Sequence, residues 1–479
     1  MHSNPKTSSQ ATILMRSDHA ASGAIILFVV SAVQFLTPFM LSALGVALPA
    51  IGKDFSASAV QLGLVETVYI LAFSLLLLPA GRLGDIYGRR RIFTIGIFVF
   101  TLGTLLLSFA FTIETFILFR FFQGAGGAMI SGNSVAILAS VFPPAQRGRA
   151  MGIIVGCVYL GLSLGPVLSG FMVTHLGWRW IFYLAILIEI ACLFLTVLKL
   201  KGEWAEARGE RFDLVGSFLY VASLFCLIYG ALNQKEDGVY RGLVAIGSLG
   251  FLAFLAFERR SSSPILDVGL IIRNRVFAFS NLATLINYAA SSGIAFFLSL
   301  YLQIVRGHSP EGAGWILIIQ PVFQSVLSPL FGRLADRVSP AGLATAGMAL
   351  CALGLGLISQ IHAVTPIHAI VGMLALMGVG FSLFSSPNTT AVMGSVSPKS
   401  YGVASSLLAT MRTMGMLCSM TVITLVFKHF MGDQPVSAET QSSFLASMHL
   451  CMVLFCFLCV AGVFCSMVRL KPVSRDEAP

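Results

Sequence analysis

Four ionisable residues lie inside long apolar runs of this chain: Glu66 in 59–80, Arg120 in 115–141, Glu189 in 180–199 and Arg412 in 402–428. A charge at the centre of a membrane helix costs about 2.5–3.5 kcal/mol on insertion scales, so such residues face a polar cavity or one another. A buried carboxyl group can load and release a proton. A nearby arginine favours its ionised form and desolvation favours the neutral one, so a change in their separation moves the proton. At 1.5 Å per residue, Glu66 and Arg120 each sit roughly 8–10 Å below the same membrane boundary, which makes them a candidate pair. Three readings of the pair stay open: a proton-coupling device, a static ion pair, or a contact for a cationic ligand. Glu189 is a further proton-handling candidate. Arg412, near mid-membrane, suits an anionic ligand or a balancing acid. The four charges sum to zero, which favours mutual pairing.

The elements that must position these residues are apolar throughout. The chain has 479 residues, 57% apolar and only 10% charged, where a soluble domain carries about a quarter charged residues. Fourteen runs are long enough to cross a bilayer as helices: 24–50, 59–80, 92–110, 115–141, 150–174, 180–199, 213–232, 241–257, 276–304, 314–331, 341–360, 367–393, 402–428 and 443–468. The short alternating segments of a membrane β-barrel are not visible. The net charge of +10 could suggest a nucleic-acid partner, but its distribution decides otherwise. With both ends placed in the cytoplasm, inside segments hold 22 of the 30 Lys and Arg and outside loops hold 6, an orientation signal. Trp178, Trp180 and Trp315 fall at outer boundaries. All nine Cys lie in apolar spans, and Cys456 and Cys459 read as packing residues rather than a redox or metal pair. The polar first 22 residues precede an apolar run too long for a cleaved signal core.

Gly81-Arg82-Leu83-Gly84-Asp85 and Gly332-Arg333-Leu334-Ala335-Asp336 share four of five residues, and each follows a long apolar run. Such an internal repeat marks a protein of two related halves. The turns are 251 residues apart; removing about 60 for two shorter spans leaves a natural length for six spans. The expected division is a cytoplasmic tail 1–22, a six-helix bundle 23–199, two inserted helices with charged flanks 200–275, a second bundle 276–468 and a tail 469–479.

The first turn continues as Gly88-Arg89-Arg90-Arg91. Its glycines permit a tight reversal, Asp85 can accept from a helix N-terminus, and the arginines can pair with carboxylates or anionic headgroups. Residue types, spacing and location resemble the signature loop of the major facilitator superfamily. That resemblance implies a loop, built on Gly81, Arg82, Asp85, Gly88, Arg89 and Arg90, that latches the cytoplasmic side shut in one state of a transport cycle. The stretch from Arg120 to Gln123 and Gly124 resembles the family's span-four motif, associated with proton coupling in antiporters. Gly161, Gly165, Pro166 and Gly170 resemble its exporter motif in span five. Gly152 and Gly156 lie nearly opposite Gly161 and Gly165 on the helix, so close packing on two faces is expected, with a bend at Pro166. With 14 spans and Gly177-Trp178-Arg179-Trp180 at the start of span six, the chain resembles the 14-span drug:proton antiporters nearly end to end.

The implied fold is all-α integral membrane, the major facilitator fold: two six-helix bundles plus two inserted helices. The implied activity is export of small amphipathic compounds by proton antiport with alternating access. One departure matters: where that family carries a first-span Asp, this chain has Met40, and Glu66 is the residue that could take over its role. Polar candidates for a substrate cavity are Gln34, Asn133, Asn287, Gln320, Gln324, Asn388 and Arg412, each of which could instead bond between helices. The runner-up is a dedicated exporter of one metabolite, anionic if Arg412 contacts it; a membrane sensor is the alternative from another class. No nucleotide-binding loop, metal-ligand spacing or nucleophile elbow appears, and loops are too short for a soluble catalytic domain. Neither an enzyme nor a cofactor is expected. The expected partners are the bilayer, protons and a small molecule, with no nucleic acid and a monomeric, multi-pass form in the inner membrane.

Overall fold

The computed structural model describes residues 5–200, 202–232, 238–261, 264–266, 268–396 and 401–470. Parts of both expected tails, 1–4 and 471–479, lie outside these. Fourteen helices are long and apolar enough to cross a membrane. Spans 1 to 6 are Gly23–Phe55, Ala59–Tyr87, Arg89–Ser108, Ile113–Val141, Ala150–His175 and Arg179–Lys199. Spans 7 and 8 are Leu214–Leu232 and Gly238–Glu258. Spans 9 to 14 are Arg275–Val305, Pro310–Ala335, Pro340–Ile358, Ile367–Gly394, Val403–Phe430 and Gln441–Met467. An even number of crossings puts both ends of the chain on one face, the terminal side; the other is the far side.

Local sequence fixes where the helices start. Ser58 opens span 2 with a reciprocal capping box to Gln61, and Thr112 opens span 4 in the same way with Thr115. Pro310 and Pro340 occupy first-turn positions, where a missing N–H costs nothing. Between spans 2 and 3 the whole connection is Gly88, at φ 114°, a conformation side-chain-bearing residues rarely adopt.

Packing repeats between the halves. Spans 1 and 5, 2 and 4, 3 and 4, 3 and 6, and 1 and 6 lie together; so do 9 and 13, 10 and 12, 11 and 12, 11 and 14, and 9 and 14. Each pair recurs with a shift of eight spans, as expected if the repeated turns mark equivalent places. Spans 7 and 8 pack on each other, and span 7 touches span 2 and span 13. Tyr220 of span 7 donates to the Ser74 carbonyl at 2.9 Å, and Lys428 of span 13 donates to the Leu232 carbonyl at 2.9 Å.

Span 9 departs from the unbroken helix expected over 276–304. Its regular part ends at Ser291, resumes at Ile294 and finishes in a π-helical turn, Tyr301–Val305. This outer part packs on span 1, where Ser299 donates to the Gly45 carbonyl at 2.6 Å and Gln303 to the Val46 carbonyl at 2.9 Å.

Candidate functional site

In the first bundle a chain of polar groups runs through four helices. Glu66 (span 2) and Arg120 (span 4) form an ion pair at 3.4 Å, both buried. Arg120 also donates from Nε to the Val65 carbonyl at 3.2 Å and from a terminal nitrogen to Gln123 Oε1 at 2.6 Å, and its guanidinium lies 4.0 Å from the centre of the Tyr69 ring. Gln123 donates to Thr104 of span 3 at 2.9 Å, and Thr104 donates to Glu189 of span 6 at 3.1 Å. Arg120 uses most of its donor fork, so its burial is compensated, while one oxygen of Glu66 and one of Glu189 stay buried without a partner. The structure thus brings together three of the four sequence-predicted charges. The expectation of full mutual pairing fails for Arg412: among the described residues no carboxylate lies within ion-pair distance of it. Gln123 lies in the span-four stretch singled out with Arg120, one helical turn along from it; the missed link was Thr104, which has no charged residue near it in its own span.

This chain sits beside the seam between the halves. Thr67, next to Glu66, meets Thr424 of span 13 hydroxyl to hydroxyl at 3.2 Å, and a side chain at Gly63 would run into Thr424. Further out, the Ala59 amide donates to the Gln434 carbonyl at 3.0 Å, and His175 and Glu311 approach to 3.1 Å. Among the described residues, every hydrogen bond joining spans 1–6 to spans 9–14 lies in the far-side half of the spans. The molecule is sealed there.

Part of the glycine motif of span 5 crosses the seam to span 10, and part packs on span 1 within the first half. A Cβ at Gly161 would collide with the Phe35 carbonyl of span 1, and one at Gly170 with the Pro310 carbonyl of span 10. The approach is reciprocal, because a Cβ at Gly314 would strike the Pro166 carbonyl. Gly165 lies against Ser42 in the same way. The expectation of close packing on the opposite face is not met: no atom lies within 4 Å of a Cβ built at Gly152 or Gly156. Met40, at the position of the family's acid, is fully buried in the apolar core.

The signature turn binds a partner its own sequence does not contain. Arg89 bridges Asp85 at 2.7 Å and Glu206 at 2.8 Å, and donates to Ser140 at 2.9 Å. Arg82 bridges Glu210 at 2.6 Å, and the Arg90 amide donates to Glu203 at 2.9 Å. Backbone bonds from the Arg89 amide to the Trp204 carbonyl, 2.9 Å, and from the Ala207 amide to the Asp85 carbonyl, 3.0 Å, complete the dock. A side chain at Gly88 would displace Glu203. In this arrangement Arg82, Arg89 and Arg90 face the connection from span 6 to span 7, while Gly81 and Gly84 lie against span 4.

Several cavity candidates prove to be helix-to-helix ties. Asn133 donates to the Met129 and Ala80 carbonyls and fills the space over Gly84. Asn388 donates to Thr284 and Ser280 and accepts from Arg469. Arg469, read from the sequence as part of a charged tail, is buried against Ser280, Asn388 and Ser466, and burial lowers its pKa to about 10. Asn287 is fully buried, with no hydrogen-bond partner for either amide atom. Gln34 and Gln320 are half-buried and Gln324 is buried. Trp178 is a further correction: at 5% exposure it is no interfacial ring but the centre of a cluster with Phe55, Phe116 and Phe182, its indole donating to Asp54. Trp180 and Trp315 are exposed, as boundary residues should be. Cys456 and Cys459 are free thiols that contact the Ala352 and Met348 carbonyls.

Two like bundles, a seam sealed on one face and charges buried beside it define a polytopic membrane carrier. The Major Facilitator Superfamily profile matches residues 30–417 and 280–478, and the chain belongs to that family of transporters. It is 30% identical to a riboflavin transporter of Clostridioides difficile over 81% of this chain and 85% of that protein. It is 32% identical to a multidrug resistance protein of Mycobacterium tuberculosis over 79% and 71%, and 33% identical to a cephamycin export protein of Amycolatopsis lactamdurans over 86% of each. Among solved structures, a peptide transporter superposes with a TM-score of 0.67 at 14% identity, covering 92% of this chain and 95% of that one. The human organic anion transporter MFSD10 gives 0.63 at 16%, covering 93% and 99%. At those identities the likeness is one of fold.

Proposed function

We propose that this transporter exports small amphipathic compounds in exchange for protons, by alternating access, with Glu66 as the proton-carrying group. The observation that carries this reading is the ion pair of Glu66 with Arg120, placed one residue from the Thr67–Thr424 contact that closes the seam. Opening the far side must separate Thr67 from Thr424 and so change the surroundings of Glu66. Protonation removes the charge facing Arg120, which the Val65 carbonyl and Gln123 still hold in place. The bonds to Thr104 and Glu189 extend the same device to span 6. Both chain ends are assigned to the cytoplasm from the excess of basic residues on that side, so the sealed face is the outer one and the terminal side is where cargo enters. Exporters and multidrug proteins among the relatives support the outward direction. The monomer is taken as the working unit.

The test is transport by purified protein in liposomes under an imposed pH gradient. Glu66→Gln is expected to lose gradient-driven movement while still exchanging cargo down its own gradient. Gradient-driven efflux at the wild-type rate in that variant would take Glu66 out of the mechanism and leave the pair as a static tie.

A further inference from the structure

Arg412 lies about 27 Å from the far end of span 13 at 1.5 Å per residue, about 18 Å beyond Thr424 in the seal. By the same count Tyr288 of span 9 and Tyr159 of span 5 lie about 25 Å and about 24 Å from the far ends of their spans. Three polar side chains, one from the first half and two from the second, therefore share a level on the open side of the seal. All three are half-buried. The Arg412 guanidinium sits 5.2 Å from the centre of the Tyr288 ring, and Tyr159 is near enough to interact with it electrostatically. Tyr288 is braced by Phe381, edge to face at 5.1 Å. Arg412 Nε is shielded from solvent yet donates to nothing, and no carboxylate among the described residues balances the charge.

We propose that Arg412, Tyr288 and Tyr159 form a receptor for an anionic oxygen group, so that the compounds carried bear a carboxylate or a phenolate. The guanidinium fork matches two such oxygens, and the unsatisfied Nε supplies a donor that the protein itself leaves unused. The hydroxyls of Tyr159 and Tyr288 add donors from both halves. An anion held between Tyr159 and Arg412 draws the halves together on the terminal side, where no hydrogen bond among the described residues joins them. Cargo binding and closure thereby share one set of contacts. The transport step rests on the exporter reading above; the binding site does not.

Two xanthene dyes of similar size separate the possibilities: fluorescein, an anion at neutral pH, and rhodamine 123, a cation. Binding to the purified protein is expected to favour fluorescein. Arg412→Gln is expected to lower the ratio of fluorescein to rhodamine affinity by about tenfold or more, the worth of one charge-assisted contact. Arg412→Lys recovers part of that ratio, and Tyr159→Phe lowers it by a smaller factor. Absence of fluorescein binding, or an Arg412→Gln variant that weakens both dyes equally, overturns the anion site. Fluorescein that binds as expected but is not moved by a pH gradient in liposomes overturns the export reading and leaves the site standing.

Discussion

Arg120 and Arg412 both lie well inside their spans, away from the ends, and they live in opposite circumstances. Arg120 has a carboxylate, an amide oxygen, a backbone carbonyl and an aromatic face around it. Arg412 has a tyrosine ring beside it, with one buried nitrogen bonded to nothing. Desolvating a guanidinium costs several kcal/mol unless its donors are met. The first site meets that cost for Arg120 with protein groups, while one Glu66 oxygen is left without a partner. The second meets it only in part. That difference underlies the proton role proposed for the first site and the ligand role proposed for the second.

The sharpest way to break this contrast is to remove each cation in turn. Arg120→Ala should cost about 3–5 kcal/mol in thermal unfolding in detergent, because it strands Glu66 and Gln123. Arg412→Ala should stay within about 1 kcal/mol, because it strands no acid. Equal losses would erase the distinction. Cutting the relay one step further on, Gln123→Leu should cost about 1–3 kcal/mol by leaving Arg120 and Thr104 each short of a partner. A double-mutant cycle with Glu66→Gln should give a coupling of at least about 0.5 kcal/mol if the network acts as a unit. Thr67→Val removes the one hydroxyl-to-hydroxyl contact, among the described residues, that joins the helix of Glu66 to the second half. It should cost about 0.5–1.5 kcal/mol and raise cysteine labelling at far-side positions such as 63, with no change in dye preference. Arg89 is the intermediate case, a buried cation whose partner Glu206 is 72% exposed on its side chain. Glu206→Gln should shift stability by no more than about 1 kcal/mol and lose its effect in high salt, as for exposed ion pairs.

The two copies of the charged turn teach a related lesson. The first is docked on Glu203, Glu206 and Glu210. In the second, Arg333 and Asp336 are exposed, and among the described residues their side chains make no hydrogen bond or ion pair. Near-identical residues thus do different work, because only one copy is followed in space by an acidic connection. That connection was legible as charged, yet nothing in its sequence said that it would fold back onto a turn more than 100 residues earlier. The same limit explains the cavity candidates. Asn133 and Asn388 read like Gln34 and Gln320, since each is a lone amide in an apolar run. Which of them binds a neighbouring helix depends on what that helix presents at the same depth. The glycines of span 5 were similarly ambiguous: Gly152 and Gly161 look alike until the neighbouring backbone decides which one is crowded.

By itself, the sequence determined the number of crossings, the doubled plan with two added helices, the family and the identity of the buried charges. Those follow from hydropathy and from costs that each residue bears alone, because a bilayer penalises any unpaired backbone or charged group wherever it sits. Only the tertiary structure decided the pairing: that Glu66 reaches Arg120, that Glu189 joins through Thr104, that Arg412 is left without an acid and that the seam is closed on one face. Hydrogen bonds and ion pairs act over a few ångströms between helices far apart in the chain, and that geometry exists only once the helices have packed.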